Sequence, residues 1–394
     1  MKKKLLIAGG GYADIPLIKA GKELGFYVIT TGNRQHDLGH QYSDKYINED
    51  FSAPEAMLQL SVKLKIDAIC ACCNDFSALS TSYVAEKLNL KGHDSYNVTQ
   101  LLHHKDSYRQ FALENNISSP HGVGYSSTES AIKGLTRFSY PIIIKPVDLT
   151  GGKGISKASC LSEAITAIKD AFLISREKKI VIEDFLTGSH HGFSTIIKNQ
   201  KVVFSFMDNE HYFKNPYMVS GASSPSLAGK NIEKTLLADT NKLASLLNLV
   251  DGILHIQFII HNNRPVIIEV CRRAPGDLYI KLVQHATGID YPLWIVRASS
   301  GINTYNTPDN KVPAGFYIRH CIMADKNGEI NDVIIDKSLE DKIFDQMIWW
   351  EKGDVIYDYL TYKAGIVFLK FDSQQEMNEL SGRLPELINV RMKD

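Results

Sequence analysis

Lys105 and Lys145 are two cations in a sequence whose other polar landmarks fall between and after them. Lys145 closes an apolar run at 141–144, so burial of that run would hold its ammonium in a fixed direction; taken alone, either lysine reads first as an ordinary solvated cation. The stretch Thr150-Gly151-Gly152-Lys153-Gly154-Ile155-Ser156 has three glycines in four positions, which frees backbone amides to lie over phosphates, although a flexible hairpin turn has the same composition. It lacks the GxxxxGK[ST] spacing of a P-loop. Glu183-Asp184-Phe185-Leu186 ends another apolar run, where a carboxylate and backbone groups could take an adenine amino group while Phe185 and Leu186 flank the ring. Gln257 and Glu269 stand on successive apolar runs, 253–260 and 265–270, joined by the turn 261–264. On a hairpin that spacing can bring both side chains to one face, and Mg2+ requires such hard oxygen ligands. Arg273 follows as a planar cation suited to a carboxylate or an acyl phosphate.

Transfer of a γ-phosphoryl group from ATP to a carboxylate needs cations along the triphosphate, Mg2+ to neutralise developing charge, and a cover that excludes water. Each part has a counterpart above. Other residues carry weaker signals. Cys70, Cys72 and Cys73 end an apolar run and read as a buried strand end rather than a metal or redox site. Asp75 follows at the carboxyl edge of the expected sheet, where α/β folds place ligands. The polar and aromatic segment 208–213 borders an acceptor pocket or forms a solvated loop, and Arg272 contacts substrate or makes a surface ion pair.

The elements that would position these residues follow from periodicity. A short apolar run at 4–8 leads into Gly9-Gly10-Gly11, and Ile15, Leu17, Ile18, Ala20 and Leu24 then recur at helical spacing. With strands at 27–31 and 68–72 and a helix at 54–64, this predicts a parallel sheet with helices on both faces. The glycine turn invites a dinucleotide reading, but Asp14 stands at the third fingerprint position and Thr30-Thr31-Gly32-Asn33 offers no acidic ribose ligand. Residues 98–115 read as one helix, with a new domain beginning near Pro120. Strands at 141–146 and 179–183 enclose the glycine loop and a helix at 161–172. Alternating runs at 193–198, 201–207, 253–260 and 264–270 predict an antiparallel sheet. From 301 onward, strands near 314–323 and 365–371 and a last helix near 375–384 predict a small α+β tail.

Bulk properties narrow the class. With 394 residues and 44% hydrophobic content, the chain exceeds one core and predicts two or three domains. Lys plus Arg and Asp plus Glu are equal at 44 each, which argues against nucleic acid or an anionic membrane surface as partner. Six cysteines without CxxC spacing fit a reducing cytoplasm. The lysines at 2–4 precede an apolar run too short for a signal peptide, and no stretch has the length of a membrane span.

The ordered set Lys105, Lys145, TGGKGIS, EDFL, Gln257 and IEVCRR resembles the ATP-grasp superfamily, in particular its carbamoyl-phosphate synthetase-like and L-amino-acid-ligase-like carboxylate–amine ligases. The resemblance spans nearly the whole chain. It implies an α/β chain: a Rossmann-like parallel-sheet domain at 1–95, a two-part ATP-grasp α+β domain at 96–300 with a lid at about 120–187, and a C-terminal α+β domain at 301–394. By resemblance, Lys105 and Lys145 bind phosphates, and Gly151, Gly152, Lys153 and Gly154 belong to the lid. Glu183 with Asp184, Phe185 and Leu186 holds adenine, and His190 takes the ribose position, where Glu is common. Gln257 and Glu269 bind Mg2+, which Mn2+ can replace, although the first position is commonly Glu; Cys271 stands where Asn is common. Arg273 steadies the acyl phosphate, with Lys145 beside it as the second catalytic cation, and Asp277 occupies the place of a base in biotin-carboxylase relatives. The implied reaction joins a small carboxylate to an amine with release of ADP and phosphate, in a homodimer. Bicarbonate- or formate-using chemistry of the purine-biosynthesis type and a non-catalytic nucleotide binder are the alternatives.

Overall fold

In the computed structural model, which describes residues 2–302 and 313–393, the apolar runs become the strands of four sheets. The first is parallel: β1 (Lys4–Ala8), β2 (Tyr27–Gly32), β3 (Lys45–Asn48) and β4 (Ala68–Ala71) lie in the order β3-β2-β1-β4. Its central strands read as unbroken apolar runs because helices cover both faces. A Cβ on Gly9 would lie 2.2 Å from Cys72 and one on Gly10 2.1 Å from the His40 ring, so this glycine turn serves close packing. Asp14 accepts from the amides of Gly11 at 2.8 Å and Cys73 at 2.9 Å. The turn thus binds the protein's own carboxylate, which disfavours a second anion there. Cys70 and Cys72 are buried at the strand end.

The single helix expected at 98–115 is two, Tyr96–His103 and Lys105–Glu114, with His104 extended between them at φ −88° and ψ 114°. No glycine or proline marks this break, so apolar spacing passes through it unnoticed. Its effect is to make Lys105 the first residue of a new helix.

The second sheet is antiparallel, β5 (Gly122–Tyr125), β6 (Ile142–Pro146), β7 (Ser156–Ala158) and β8 (Ile180–Asp184), in the order β5-β8-β6-β7. The helix Leu161–Ile174 lays Ala164, Ala167, Ile168 and Ala171 on it, giving this unit a core of its own.

The third sheet has eight strands. β9 (Ser189–Lys198), β10 (Lys201–Tyr212), β11 (Val219–Ser224), β12 (Gly252–His261) and β13 (Arg264–Cys271) supply five. Later in the chain come β14 (Phe316–Ile322), β15 (Gly328–Ile335), β16 (Ile343–Ile348), β17 (Val355–Ile356), β18 (Gly365–Phe371) and β19 (Ile388–Met392). The order is β13-β12-β9-β10-β11-β14-β18-β16, so strands of the tail continue the central sheet through the edge of β11. Among the described residues of the tail, β17-β15-β19 form a separate sheet. The tail's first residues run into 303–312, outside the described residues. One apolar cluster joins Leu5 and Val28 of the first sheet and Ile18 of the helix Ile15–Glu23 to Trp294, Phe204 and Phe368, so the first and third sheets form one packed body against which the lid sheet stands. Among the described residues no helix is long and apolar enough to cross a membrane.

Candidate active site

A cleft of ≈ 290 Å³ opens where the lid loop, the third sheet and the carboxyl end of the first sheet meet. Lys105 lines it from the start of its helix, and its ammonium donates to the carbonyl oxygen of Leu149 at 2.9 Å, just before the glycine loop. Gly151 and Gly152 form the facing wall, at φ +66° and +73°, in the left-handed region that glycine enters freely. Gly154, at φ +70°, and the exposed Lys153 belong to the loop but not to this wall.

Gln257 and Glu269 are direct cross-strand partners on β12 and β13, and both line the cleft. Among the described residues Glu269 has no hydrogen-bond or salt-bridge partner, so a half-buried carboxylate is left facing the cleft. That donor set fits a divalent cation with oxygen preference. Cys271 is buried on the same wall with its thiol pushed up by burial, which makes it no Mg2+ ligand. Asp75, His103 and Cys271 bring ligand atoms within 4.8 Å of one another. Their donors are engaged elsewhere: His103 Nδ1 faces Asp75 at 2.9 Å, and its Nε2 accepts from the Arg272 amide at 3.3 Å.

Asp75 also accepts from Arg273 Nε at 2.8 Å, so the helix that follows β4 aims the arginine that follows β13 into the cleft. Burial works to raise Asp75, but Arg273 and His103 outweigh it and hold the carboxyl well below its ordinary range. Arg272 differs from both readings of it. It is buried, with Nε on Asp94 at 2.6 Å and Nη2 on Val250 O at 2.8 Å, and ties the body together away from the cleft.

Asp277 is gripped from three directions. Tyr12 donates to Oδ1 at 2.6 Å, Lys363 to Oδ2 at 2.6 Å, and Arg319 Nη1 to the backbone oxygen at 3.0 Å. Against its burial, Lys363 and Arg319 hold its carboxyl below the ordinary value, the wrong direction for a proton acceptor. Arg319 and Lys363 both line the cleft, and Arg319 is 2% exposed with no partner for Nε among the described residues.

The segment from 103 to 215 matches the family model "Phosphoribosylglycinamide synthetase, ATP-grasp (A) domain". The carbamoyl phosphate synthase large chain of Clostridium beijerinckii is 23% identical over 332 residues, covering 78% of this chain and 31% of that one. The chain therefore spans about a third of the length of the curated relatives it matches. Phosphoribosylglycinamide synthetase from Anaerococcus prevotii superposes with a TM-score of 0.76 at 21% identity, over 99% of this chain and 100% of that one. L-amino acid ligase from Bacillus licheniformis superposes at 0.81 and 16% identity, over 100% of both. The chain has the ATP-grasp fold.

In this ATP-grasp fold, the residues expected at adenine lie away from the metal end of the cleft, between lid and body. Lys145 and Glu183 form a buried ion pair at 2.7 Å, and Arg109 approaches the other carboxylate oxygen at 3.0 Å. Burial brings the Lys145 amine down to about 8, while Arg109 and Lys145 together keep Glu183 low despite its burial. The Glu183 carboxylate is thus directed at two cations, and Asp184, Phe185 and Leu186 follow it on the lid's edge; Lys157 lies over the Phe185 ring at 4.1 Å. His190 lies on β9 with Nδ1 3.2 Å from the Tyr212 hydroxyl.

Of the segment 208–213, Glu210 reaches the cleft, where it contacts Gln257 at 2.6 Å; Asp208 is buried beneath, raised to about 7 by burial and by Glu210. Lys363 of the cleft, and Arg109 and Tyr12 outside its lining, carried no signal in the sequence. The available signal for Arg319 was a charged residue inside the apolar run 316–322, since buried charges are rare without a partner.

Proposed function

We propose that this ATP-grasp chain is a carbon–nitrogen ligase that activates a small carboxylate as an acyl phosphate and passes it to an amine, releasing ADP and phosphate. The observation that carries this reading is the convergence of Lys105, the lid glycines, the Gln257–Glu269 pair and the two arginines Arg273 and Arg319 on one cleft. The matches to carbon–nitrogen ligases of this fold support it.

On this reading Lys105 and Lys145 hold the phosphates of ATP, and the loop 150–156 covers them so that water is kept from the acyl phosphate. Gln257 and Glu269 would hold Mg2+, or Mn2+ in its place, which supplies charge neutralisation on the transferring phosphoryl group. Arg273, oriented by Asp75, and Arg319, with its Nε open, face the substrate carboxylate and then the acyl phosphate. A carboxylate oxygen attacks the γ-phosphorus and ADP leaves. The amine nitrogen then attacks the acyl carbon, phosphate leaves and the amine gives up a proton.

The test is to incubate the protein with Mg-ATP and pooled amino acids, amino sugars and small carboxylates while resolving ADP from AMP. Acceptor-dependent ADP and phosphate, reduced about a hundredfold or more in Glu269→Ala, is the expected result. AMP and pyrophosphate would sink the acyl-phosphate route, and a requirement for bicarbonate or formate would move the chain to the carboxylase or formyl-transfer type. Tight ATP binding without turnover on any acceptor would favour a nucleotide-binding role.

A further inference from the structure

Gln257 raises a problem that a carboxylate in its place would not. One end of its amide is an oxygen able to ligate Mg2+, and the other is an NH2 that cannot. Which end faces the metal position depends on what holds the opposite end. In this structure Gln257 Nε2 donates to Glu210 Oε1 at 2.6 Å. An ionised carboxylate only accepts, so the nitrogen is the end drawn to Glu210 and the oxygen is turned away from it.

Glu210 is itself fixed. The Tyr212 hydroxyl donates to its second oxygen at 2.7 Å, and the same phenolic oxygen meets His190 Nδ1 at 3.2 Å. The Gln257–Glu210 contact reaches from β12 to β10 across the intervening strand β9. Gly192 of β9 lies between the two outer strands: it pairs with Gln257 on one side and Asp208 on the other, and a Cβ there would lie 2.4 Å from Asp208 Oδ1.

We propose that Glu210 is a positioning residue for the metal site, fixing the Gln257 amide so that its oxygen, and not its nitrogen, faces the position shared with Glu269. Partners of this kind behind a metal ligand set which atom it presents and raise its basicity. Glu210 also restores, one contact behind the metal, negative charge that a glutamine lacks. The inference deepens the ligase reading and rests on it in one respect, that the cleft takes a divalent cation with ATP.

The experiment measures Mn2+ affinity by the electron paramagnetic resonance of free Mn2+, with a non-hydrolysable ATP analogue present. Wild type, Glu210→Gln, Gln257→Glu and the double swap are compared, with thermal unfolding as a folding control. Glu210→Gln should bind Mn2+ about 10- to 100-fold more weakly, because an amide at 210 no longer dictates which end of Gln257 faces it. The swap Glu210→Gln/Gln257→Glu should recover affinity close to wild type, since a carboxylate at 257 presents oxygen either way. If Glu210→Gln does not fold, Tyr212→Phe, which frees Glu210 from its anchor, should weaken Mn2+ binding in the same assay. Wild-type affinity in the Glu210→Gln protein, or a swap as weak as the single variant, overturns the assignment alone. A wild-type protein that takes up no Mn2+ with the analogue overturns the ligase reading and this assignment together.

Discussion

Lys145 on β6 and Glu183 on β8 meet at 2.7 Å in a buried pair, and Arg109 reaches the opposite oxygen of the same carboxylate. Two cations therefore share one anion inside the protein, in the region where the family resemblance puts adenine. Removing that anion leaves both cations buried without a counter-charge. Glu183→Gln should lower stability by about 3–5 kcal/mol, read from urea unfolding; an unchanged midpoint would mean that water enters to solvate them.

The same burial brings the Lys145 amine to about 8, with Arg109 and Lys105 adding to the effect. Below that pH the amine is charged and attracts phosphate; above it the charge is progressively lost. Nucleotide affinity should fall as pH rises past 8, and binding near pH 8 should take up protons, measured by titration calorimetry in buffers of different ionisation enthalpy. Lys145→Met should flatten the pH dependence while binding more weakly throughout.

Two lid glycines should respond differently to alanine. Both Gly151 and Gly152 have left-handed φ, but a Cβ on Gly151 meets nothing within 4 Å, whereas one on Gly152 would lie 2.7 Å from the carbonyl oxygen of Tyr217. Gly152→Ala should weaken nucleotide binding about tenfold or more, a cost of about 1.4 kcal/mol for seating the loop. Gly151→Ala, with backbone strain alone, should stay within about threefold of wild type.

Gly192 on β9 pairs with Gln257 of β12 and with Asp208 of β10. Its alanine variant brings a methyl into contact with Asp208 in a fully packed layer, and about 1–3 kcal/mol of stability should be lost in chemical denaturation. The Gln257–Glu210 contact should loosen with it, seen as weaker Mn2+ uptake; a variant as stable and as tight as wild type would show that β9 shifts freely.

Acid should act through the third sheet. Burial depresses His255 to about 3, His320 to about 3 and His211 to about 4, so the folded protein keeps them neutral while the unfolded chain protonates them near 6.5. Because the folded values lie below the unfolded one, stability is full above pH 6.5 and is lost as pH falls from there toward about 3. Urea unfolding at pH 7.5 and 5.0 should differ by about 1–2 kcal/mol for each histidine, and His320→Asn, if it folds, should reduce that difference.

Local chemistry made part of this protein readable in one dimension. Unbroken apolar runs at 4–8 and 68–72 announced the parallel sheet, and the glycine-rich stretch 150–156 announced a loop beside a cation-bearing strand. The turn at 261–264 announced the hairpin that carries Gln257 and Glu269, but it is an irregularity in register between Gln257 and Phe258 that sets Gln257 opposite Glu269, and apolar spacing does not show it. These features are local, and the chain cannot avoid them.

What the tertiary structure decided involves partners far apart in sequence. Asp75 orients Arg273 across 198 positions, and Tyr12 reaches Asp277 across 265, turning an expected base into a clamped carboxylate. The break at His104 needs the body to hold an extended residue between two helices. The tail strands joined the central sheet because β11 offered an open edge, a property of the assembled sheet and not of any stretch of sequence. The sequence by itself determined which residues could bind phosphate and metal; only the fold decided which atoms of those residues were left free to do so.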